Sequence, residues 1–434
     1  MNTNNTSATA RVNRPERAQV AMELLSLDDL LPEDHRARAV WAFVKSLDLE
    51  PLYAMIVVDG HQAGRSAIAP EILVALWLLA TLDGIGSARE LDRRCDKKGN
   101  THLPYWWICG GVSVNYHKLS NFRVQHGEFL DKILVDSVAA MINAGLVSLE
   151  TIAQDGMKVR ASAGRSSFRR EPTLKELQKQ AQAHVDLLKE ESEEESNRQA
   201  GDARRKAAQE RATRERLEKV NAAIAERDKL AEQREKRKKG EGQKTRCSTT
   251  DPQARNMKMA NGGYNPAFNV QFASDADALI IVGVEVTNEG TDGGQLAPML
   301  DKVQASYGKL PEHALVDGGY NTKEGVTLVE NMGVKVICPI QREEQLQKHG
   351  KDPHARQKGD TDAYAIYRSR MAEPENKERY KRRAAAAEFP NADCRNHNLI
   401  LLNVRGLVKV KAVALWHALA YNFTRLLKLR EATA

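Results

Sequence analysis

The apolar residues in the first third of the chain recur with the period of helices. The segments "DHRARAVWAFVKSLDL", "PEILVALWLLATLDG" and "YHKLSNFRVQHGEFLDKILVDSVAAMINAG" each predict one or more helices. "SARELDRRC" adds a short helix with a Ser87–Glu90 capping box, whereas "THLPYWWICGG" predicts a loop or tight turn. We therefore expect an all-helical domain over residues 21–147, preceded by a disordered tail over residues 1–20.

Residues 148–170 change to the alternation of a β-strand. In "SLETIAQDGMKVRASAG" a period of two places Asp155 on the same face as Met157 and Val159, toward the core. Lys158 and Arg160 fall on the opposite face, where we expect solvent or a bound partner. Because burying an unpaired carboxylate is costly, Asp155 needs a partner.

Residues 171–245 form a charged segment without aromatic residues. Its two halves are rich in helix formers, and Gly201 lies between them. Leu217, Val220, Ile224 and Ala231 have heptad-like spacing, but Arg227 interrupts the apolar seam. We expect a protruding antiparallel, coiled-coil-like helical hairpin; a flexible charged linker is the alternative.

Residues 246–434 alternate strand and helix signals. "AFNVQFAS", "ALIIVGVEVT", "HALVDGG" and "VKVICPI" predict strands, and "TDGGQLAPMLDKVQASYG" and "TKEGVTLVENMG" predict helices. Together they describe an α/β layer. The last helix carries an apolar stripe that we expect in the core, formed by Ala412, Trp416, Leu419, Phe423 and Leu426.

Composition narrows the class of protein. The 434 residues suggest two or three domains, and the net charge of +7 favours a polyanionic partner. The basic excess lies in residues 157–245, while residues 1–150 are slightly acidic. Five scattered cysteines argue against a disulfide framework or zinc site and favour the reducing cytoplasm. The longest apolar run, residues 72–82, is too short for a membrane span.

A second acid follows a buried strand. "EHALVDGGYNT" places Asp317 at the carboxyl end of an apolar run, just before two glycines. Two strand-borne acids close together in one sheet repel each other unless a cation lies between them. Mg²⁺ or Mn²⁺ prefers oxygen ligands of this kind.

A third acid is expected from the Ala-rich segment "RYKRRAAAAEFPNADCR". Tyr380, Ala384 and Glu388 are spaced to share one helical face, and Pro390 should end or kink the helix. Arg383 and Arg395 flank the acid and could hold phosphate or pair with carboxylates. The competitors for the third position are Glu375, Glu378 and Asp393.

Each acid also has a structural interpretation. An Asp-Gly pair after a strand is most often a turn, which would account for Asp317 alone. Asp155 could be a satisfied polar residue at a strand end. From the residues alone, the catalytic and structural interpretations carry about equal weight.

Six segments in the same order resemble the DDE transposases of bacterial insertion sequences. They are "QDGMKVRASAG", "AFNVQFASD", "EVTNEGTDGGQLAPML", "LVDGGYNT", "RYKRRAAAAEFPNADCRNHNL" and the closing "NVRGLVKVKAVALWHALAYNF". The helical region before them is similar to the domain that precedes this family's core. Two features depart from the family: four alanines separate Arg383 from Glu388, one more than the family pattern has, and a large charged insert lies between the first two acids.

The resemblance implies an RNase H-like catalytic core, with a mixed β-sheet flanked by helices, behind the helical N-terminal domain. The first core strand would lie in residues 148–170 and the rest of the core in residues 246–434, with the insertion of residues 171–245 between them. Asp155, Asp317 and Glu388 would hold two Mg²⁺ (or Mn²⁺) ions. Tyr380, Arg383 and Arg395 would be supporting residues that position phosphate or water.

The resemblance also implies double-stranded DNA as the partner, namely the terminal inverted repeats of the transposon and its target DNA. The protein would bind them as a homodimer. It would be located in the bacterial cytoplasm and associate with the nucleoid when bound to DNA. Two N-terminal segments could form the recognition surface, the second as a helix of a helix-turn-helix. A solvated basic face is the alternative. The candidate DNA-binding residues are Arg89, Arg93, Arg94, Lys97, Lys98, His117, Lys118 and Arg123.

Three functions therefore remain open. The first is a transposase that cleaves DNA and transfers strands. The second is a DNA-binding regulator derived from a transposase, with a decayed site. The third is a nuclease without strand transfer. The presence of all three acids favours the first.

Overall fold

The computed structural model describes residues 26–56, 67–96, 102–194 and 200–433. The predicted tail over residues 1–20 and the candidate DNA-binding residues Lys97 and Lys98 lie outside these ranges. The described helices that precede the first strand are α1 (Arg36–Lys45), α2 (Glu50–Tyr53), α3 (Pro70–Leu82), α4 (Ala88–Cys95), α5 (Leu103–Cys109), α6 (Tyr116–Gln125) and α7 (Gly127–Asn143).

Local sequence signals explain the ends of these helices. The Ser87 side chain accepts a hydrogen bond of 3.3 Å from the backbone N–H of Glu90, which confirms the predicted cap of α4. The prediction of a loop at "THLPYWWICGG" is wrong, because Leu103–Cys109 form α5, with Pro104 in its first turn and Gly110 ending it in the left-handed region. Tyr105 and Ile108 are buried on this short helix, so tertiary packing stabilises a segment whose local pattern is not helical.

The charged insert is a helical hairpin in the described residues. It consists of α8 (Glu171–Glu194) and α9 (Ala200–Arg237). An ion pair of 2.6 Å joins Glu171 to Arg227, and Gln178 bonds to Asn221, so the two helices run antiparallel. Arg227, which interrupts the apolar seam, is buried by that ion pair. Gly201 does not divide the halves but lies in the first turn of α9.

Deleting residues 175–240 and closing the gap with a short Gly/Ser linker is expected to leave the remaining fold intact. The hairpin packs around a small apolar cluster of Leu174, Ala223 and Cys247, separate from the two main cores. We expect thermal unfolding to stay cooperative, with the far-UV circular dichroism of an α/β protein. Trp416→Ala in the main core should instead cost about 3–5 kcal/mol. Loss of cooperative unfolding in the deletion variant would show that the hairpin is part of the core.

A mixed β-sheet forms the centre of the molecule. Its strands are β1 (Thr151–Arg160), β4 (Arg255–Lys258), β5 (Tyr264–Asp275), β6 (Ile281–Thr287), β7 (His313–Leu315) and β8 (Lys335–Ile337), and a separate ribbon pairs β2 (Phe168–Arg169) with β3 (Cys247–Ser248). The strand order is β4-β5-β1-β7-β8. β4 pairs with residues 264–267 of β5, and β6 pairs with residues 269–274 of the same strand. β1 is central: it is antiparallel to β5 and parallel to β7.

Helices cover both faces of the sheet. They are α10 (Leu296–Tyr307), α11 (Lys323–Asn331), α12 (Glu343–Lys348), α13 (Asp362–Arg370), α14 (Pro374–Lys381), a π-helix (Ala384–Glu388), α15 (Phe389–Asn396) and α16 (Leu407–Thr433). The mixed α/β architecture with a helical N-terminal region is as expected. The strand signals at "HALVDGG" and "VKVICPI", fourteen residues in all, shrink to two strands of three residues each.

Two apolar clusters form the core. One joins the N-terminal helices, α16 and the face of β1 that carries Met157 and Val159; the other lies under α10, α11 and α13. The predicted stripe of α16 from Ala412 to Leu426 is buried, as expected. Because α16 packs against both the N-terminal helices and the sheet, the helical region up to residue 147 shares a core with the rest of the chain. The domain boundary at residue 147 stays a prediction.

All five cysteines are free thiols. Across the described ranges, no helix combines the length and the apolar character that a membrane span requires.

Candidate active site

Asp155 and Asp317 lie side by side on neighbouring parallel strands. In the register of β1 with β7, Ala153 is opposite Leu315, and each acid follows two residues later. The side chain of Asp155 points to the face that Met157 and Val159 bury, as the alternation predicts. Asp317 follows the end of β7, and its Oδ1 atom accepts a hydrogen bond from the N–H of Gly319. Topology alone therefore brings the first two acids together.

Glu388 is the last residue of a π-helix. The prediction of an uninterrupted α-helix through Tyr380 and Glu388 is wrong, because residues Ala384–Glu388 have π-helical hydrogen bonding. A π-bulge accommodates one extra residue inside a helix and is frequent at functional sites, so the additional alanine of this chain is absorbed there. Pro390, which has no N–H to donate, lies in the first turn of the following helix α15.

The π-helix sets Arg383 and Glu388, five residues apart, on the same side. Arg383 Nη1 lies 3.0 Å from Glu388 Oε1, while its Nη2 lies 3.5 Å from Asp155 Oδ1 and 4.0 Å from Asp317 Oδ2. One guanidinium therefore contacts all three predicted acids. Its side chain is only 11% exposed, so the three carboxylates converge on a single, largely buried cation.

The acids that competed with Glu388 are engaged elsewhere. Glu375 pairs with Arg379, Glu378 pairs with Lys381, and Asp393 lies 3.2 Å from His397. Of the four acids that the sequence offered for the third position, Glu388 alone contacts Arg383 among the described residues.

Burial makes the charge of Asp155 costly. Desolvation raises the pKa of this carboxyl group, and the negative charge of Asp317 adds to the rise. The Arg383 guanidinium, the side-chain amide of Asn391 and the N–H of Gly156 act in the opposite direction but do not cancel it. The burial of the Asp155 carboxylate is therefore only partly compensated by Arg383 and by its two hydrogen bonds.

Asn391 is a site residue that the sequence did not reveal. It lies three residues beyond Glu388, and its Nδ2 atom donates a hydrogen bond of 3.0 Å to Asp155 Oδ2. The residue is 2% exposed, and its Oδ1 atom is buried without a hydrogen-bond partner in the described part of the chain. An unpartnered oxygen beside a carboxylate is an acceptor left for a cation or water.

A second polar cluster lies on the other face of β1, behind Asp155. Asp292 Oδ1 accepts hydrogen bonds of 2.7 Å from Asn269 and Gln271, and its Oδ2 lies 2.7 Å from Lys158 Nζ. Lys158 is thus paired with Asp292, although it also lines an open groove, so the expectation that it faces solvent or a bound partner stays a prediction. Asp292 lies before α10 but does not cap it, since the N-cap residue of α10 is Gln295.

Gly156 is required by this cluster. A Cβ atom at this position would lie 2.1 Å from Asp292 Oδ1 and 2.3 Å from Gln271 Nε2, distances that no side chain tolerates. The glycine of the "QDG" segment therefore lets the Asp292 carboxylate pack directly against the strand that carries Asp155. Asp292 is the residue that sequence reasoning missed here; the proximity of a loop acid to β1 is a long-range contact that no local pattern encodes.

The donor set suits a divalent cation but is not arranged as a finished metal site. No group of three His, Cys, Asp or Glu side chains within the described ranges is close enough to hold an ion together. Instead the three acids face the Arg383 guanidinium, and their carboxylates stabilise its positive charge. Hard carboxylate and amide oxygens, in excess of the local positive charge, are the ligands that Mg²⁺ and Mn²⁺ prefer.

The two remaining supporting residues differ. Tyr380 is half-buried, and burial raises the pKa of its hydroxyl group, with Asp317 and Glu388 contributing through their charges, so it lies near the acids. Arg395 is exposed on α15 and makes no ion pair with the three acids in the described structure. It lines a neighbouring groove together with Arg160 and Lys258.

The N-terminal candidates separate into exposed and engaged residues. Arg89, His117 and Lys118 are exposed, with Arg89 over the ring of Tyr116. Arg93 and Arg94 both pair with Glu90.

Arg123 does not fit the predicted DNA surface. Its side chain is buried over Trp77 and donates to the carbonyl oxygen of Gly86. The helical period of α6 did not show that this face packs inward.

Comparison with known protein families identifies two segments of the chain. Residues 242–423 match the Transposase DDE domain, and residues 25–125 match the Transposase domain (DUF772). The first match contains Asp317 and Glu388, while Asp155 and the helical hairpin precede it. No curated protein and no solved structure matches the chain.

Both matches occur in the order that the sequence motifs predicted, one over the N-terminal helices and one over most of the sheet and its helices. They agree with the six motif resemblances along the same stretch. The chain therefore belongs to the DDE transposases of insertion sequences, and its function is DNA transposition.

Proposed function

We propose that Asp155, Asp317 and Glu388 are the catalytic acids with which this transposase cleaves DNA at the transposon ends and transfers the strands. The observation that carries the proposal is the convergence of the three carboxylates on the one Arg383 guanidinium, at distances of 3.0 to 4.0 Å. Three acids that reach one buried cation can reach a divalent ion at the same place.

The sheet supports an RNase H-like catalytic core. Three antiparallel strands, β6, β5 and β1, continue into two parallel strands, β7 and β8. The first acid lies on the central strand and the second on its parallel neighbour, and the third comes from a helix after the sheet. The charged hairpin is inserted between the first acid and the rest of the core.

Asp155, Asp317, Glu388 and the free oxygen of Asn391 would hold two Mg²⁺ or Mn²⁺ ions. Bound divalent ions supply the activation of a water or 3′-hydroxyl nucleophile and the stabilisation of the leaving oxygen in phosphoryl transfer. Asp155 would be a principal ligand, since it lies on the central strand between Asp317 and Arg383, and burial, with the charge of Asp317, raises the pKa of its carboxyl group. Asn391 orients the Asp155 carboxylate through the bond to its Oδ2 atom.

Arg383 and Tyr380 would position the phosphate. With divalent ions held by the three acids, the Arg383 guanidinium would be free to bind phosphate, because its fork of donors matches phosphate oxygens. Tyr380 keeps its proton because burial raises its pKa, so its hydroxyl can donate a hydrogen bond but does not attack. The cleavage needs no Ser or Tyr nucleophile, since water or a 3′-hydroxyl supplies the attacking oxygen.

Recognition of the terminal inverted repeats is assigned to the N-terminal helices. Arg89, His117 and Lys118 present exposed donors on α4 and α6. To bind DNA, Arg93 and Arg94 would have to break their ion pairs with Glu90 and bind phosphate instead. A homodimer would bring two ends together, with the hairpin available to contact flanking DNA or the second protomer.

The test is cleavage of DNA that carries the inverted repeats bracketing the element's reading frame. We expect nicking at the repeat boundary with Mg²⁺ or Mn²⁺ and none with EDTA, and joining of the released 3′ end to a second duplex. Scrambled repeats are the matched control. Metal-dependent cleavage without joining would favour a nuclease, and binding without cleavage would favour the decayed regulator.

A further inference from the structure

A small polar cavity lies between the helical N-terminal region and the C-terminal part of the chain. Gly86 and Arg123 line it from the N-terminal region, and Asn403 and His417 line it from the segment before α16 and from α16 itself. Its free volume is about 10 Å³, which is room for about one water-sized species. The cavity therefore lies where the two parts of the chain that share a core meet.

Arg123 is a buried cation without a carboxylate partner. The residue is 9% exposed, and its guanidinium lies 4.8 Å from the centre of the Trp77 ring. Nη1 donates a hydrogen bond of 2.6 Å to the carbonyl oxygen of Gly86, but Nε is buried without a hydrogen-bond partner among the described residues. Burial lowers the pKa of the guanidinium to about 10, and no carboxylate of the described ranges counteracts it. Buried charges in proteins are normally paired, because an unpaired one is costly.

His417 brings a second unpartnered group to the same cavity. The residue is 6% exposed, and its Nδ1 atom is buried with no hydrogen-bond partner in the described part of the chain. Burial and the positive charges of Arg123 and His397 lower the pKa of the imidazole to about 3. The ring is therefore neutral at physiological pH and can carry its proton on Nδ1. Arg123 Nε and His417 Nδ1 are then two donors that need an acceptor.

The occupant of the cavity has to accept both hydrogen bonds and offset one positive charge. A water molecule would accept both bonds, but it would leave the arginine without a counter-ion. Phosphate and sulfate would offset the charge, but they are too large for a cavity of about 10 Å³. A monatomic anion such as chloride is close to water in size and meets both requirements.

We propose that Arg123 and His417 bind a small monatomic anion, of which chloride is the abundant example, through the Nε–H and Nδ1–H groups. Arg123 belongs to α6 and His417 to α16, so the anion joins the N-terminal helices to the last helix of the core. This site gives Arg123 a structural role. The inference does not depend on which acids are catalytic.

The test is thermal unfolding of the full chain without DNA or divalent metal, with sodium gluconate replaced stepwise by sodium chloride at constant ionic strength. An anion that binds only the folded protein raises the unfolding temperature with the logarithm of its concentration. We expect a rise of about 1–2 °C for each tenfold increase in chloride above its dissociation constant, as the unfolding entropy of a chain of this size gives. Arg123→Met and His417→Phe should each strongly reduce the rise, since each removes one donor.

Arg425→Met is the matched control. Arg425 is a partly buried arginine of α16 that also donates to a backbone carbonyl, that of Ala278, and it lies outside the described lining of the cavity. This variant should keep the chloride dependence of the wild type.

Equal unfolding temperatures of the wild type in chloride and in gluconate would overturn the proposal and leave water as the occupant. A chloride dependence that persists in Arg123→Met and His417→Phe, or that disappears in Arg425→Met, would overturn it as well. If Arg123→Met does not fold, the result for His417→Phe decides alone.

Discussion

Asp155→Asn is expected to abolish DNA cleavage while leaving DNA binding intact. The change keeps the size of the side chain and an oxygen that can accept the Asn391 hydrogen bond, but it removes the charge that a divalent cation needs. Losing several kcal/mol of metal-derived stabilisation corresponds to a rate loss of about a thousandfold or more. Cleavage of terminal-repeat DNA and binding of the same DNA, measured side by side, check this result.

Thermal stability distinguishes this loss from misfolding. The pKa of Asp155 in the folded protein lies above its ordinary value. When the pH rises above that ordinary value, the ionised carboxylate begins to lower the free energy of unfolding, and this loss is complete once the pH exceeds the folded-state pKa. At neutral pH without metal, Asp155→Asn should therefore unfold at a temperature no lower than wild type. Normal cleavage by this variant would refute the assignment of the first acid.

Gly156→Ala is expected to lose both activity and stability. The added Cβ atom would lie 2.1 Å from Asp292 Oδ1, so either β1 shifts or the carboxylate is displaced from Asn269, Gln271 and Lys158. Overpacking of this kind typically costs about 1–3 kcal/mol. Because Asp155 is the preceding residue, a backbone shift of about 1 Å should also reduce cleavage by roughly a hundredfold. Thermal unfolding and cleavage rates measure the two effects.

Gly318→Ala is the matched control in the same site. A Cβ atom at Gly318 would have no neighbour within 4 Å, and its backbone is not in the left-handed region. We expect its unfolding temperature to stay close to wild type. If Gly156→Ala were as stable and active as Gly318→Ala, the packing of Asp292 against β1 would have no role in holding the first acid.

The parts of the fold that local patterns encode could be predicted from the sequence. Alternation placed Asp155 on the core face of its strand, and the helical stripe of α16 identified its buried side. The proximity of Asp155 and Asp317 was expected because both acids were predicted on strands of one layer, with Asp317 just after the end of its strand. The Ser87 cap of α4 could also be predicted, although the Glu90 carboxylate pairs with Arg93 and Arg94.

The parts that depend on distant contacts could not be predicted. Nothing local shows that Asp292 packs on Gly156, that Asn391 bonds to Asp155, or that Arg123 is buried over Trp77. The extra alanine before Glu388 could have turned the acid to the wrong side of an α-helix. The π-helix resolves this, because a spacing of five residues then brings Arg383 and Glu388 together.

The most direct test of the account is Mn²⁺ binding to the full chain, followed by electron paramagnetic resonance and compared with Asp155→Asn, Asp317→Asn and Glu388→Gln. The account predicts saturable binding to the wild-type protein that each of the three substitutions weakens strongly, while Glu378→Gln, a neighbouring acid paired with Lys381, leaves it unchanged. Binding that is the same in all four variants would show that these acids do not form one metal site.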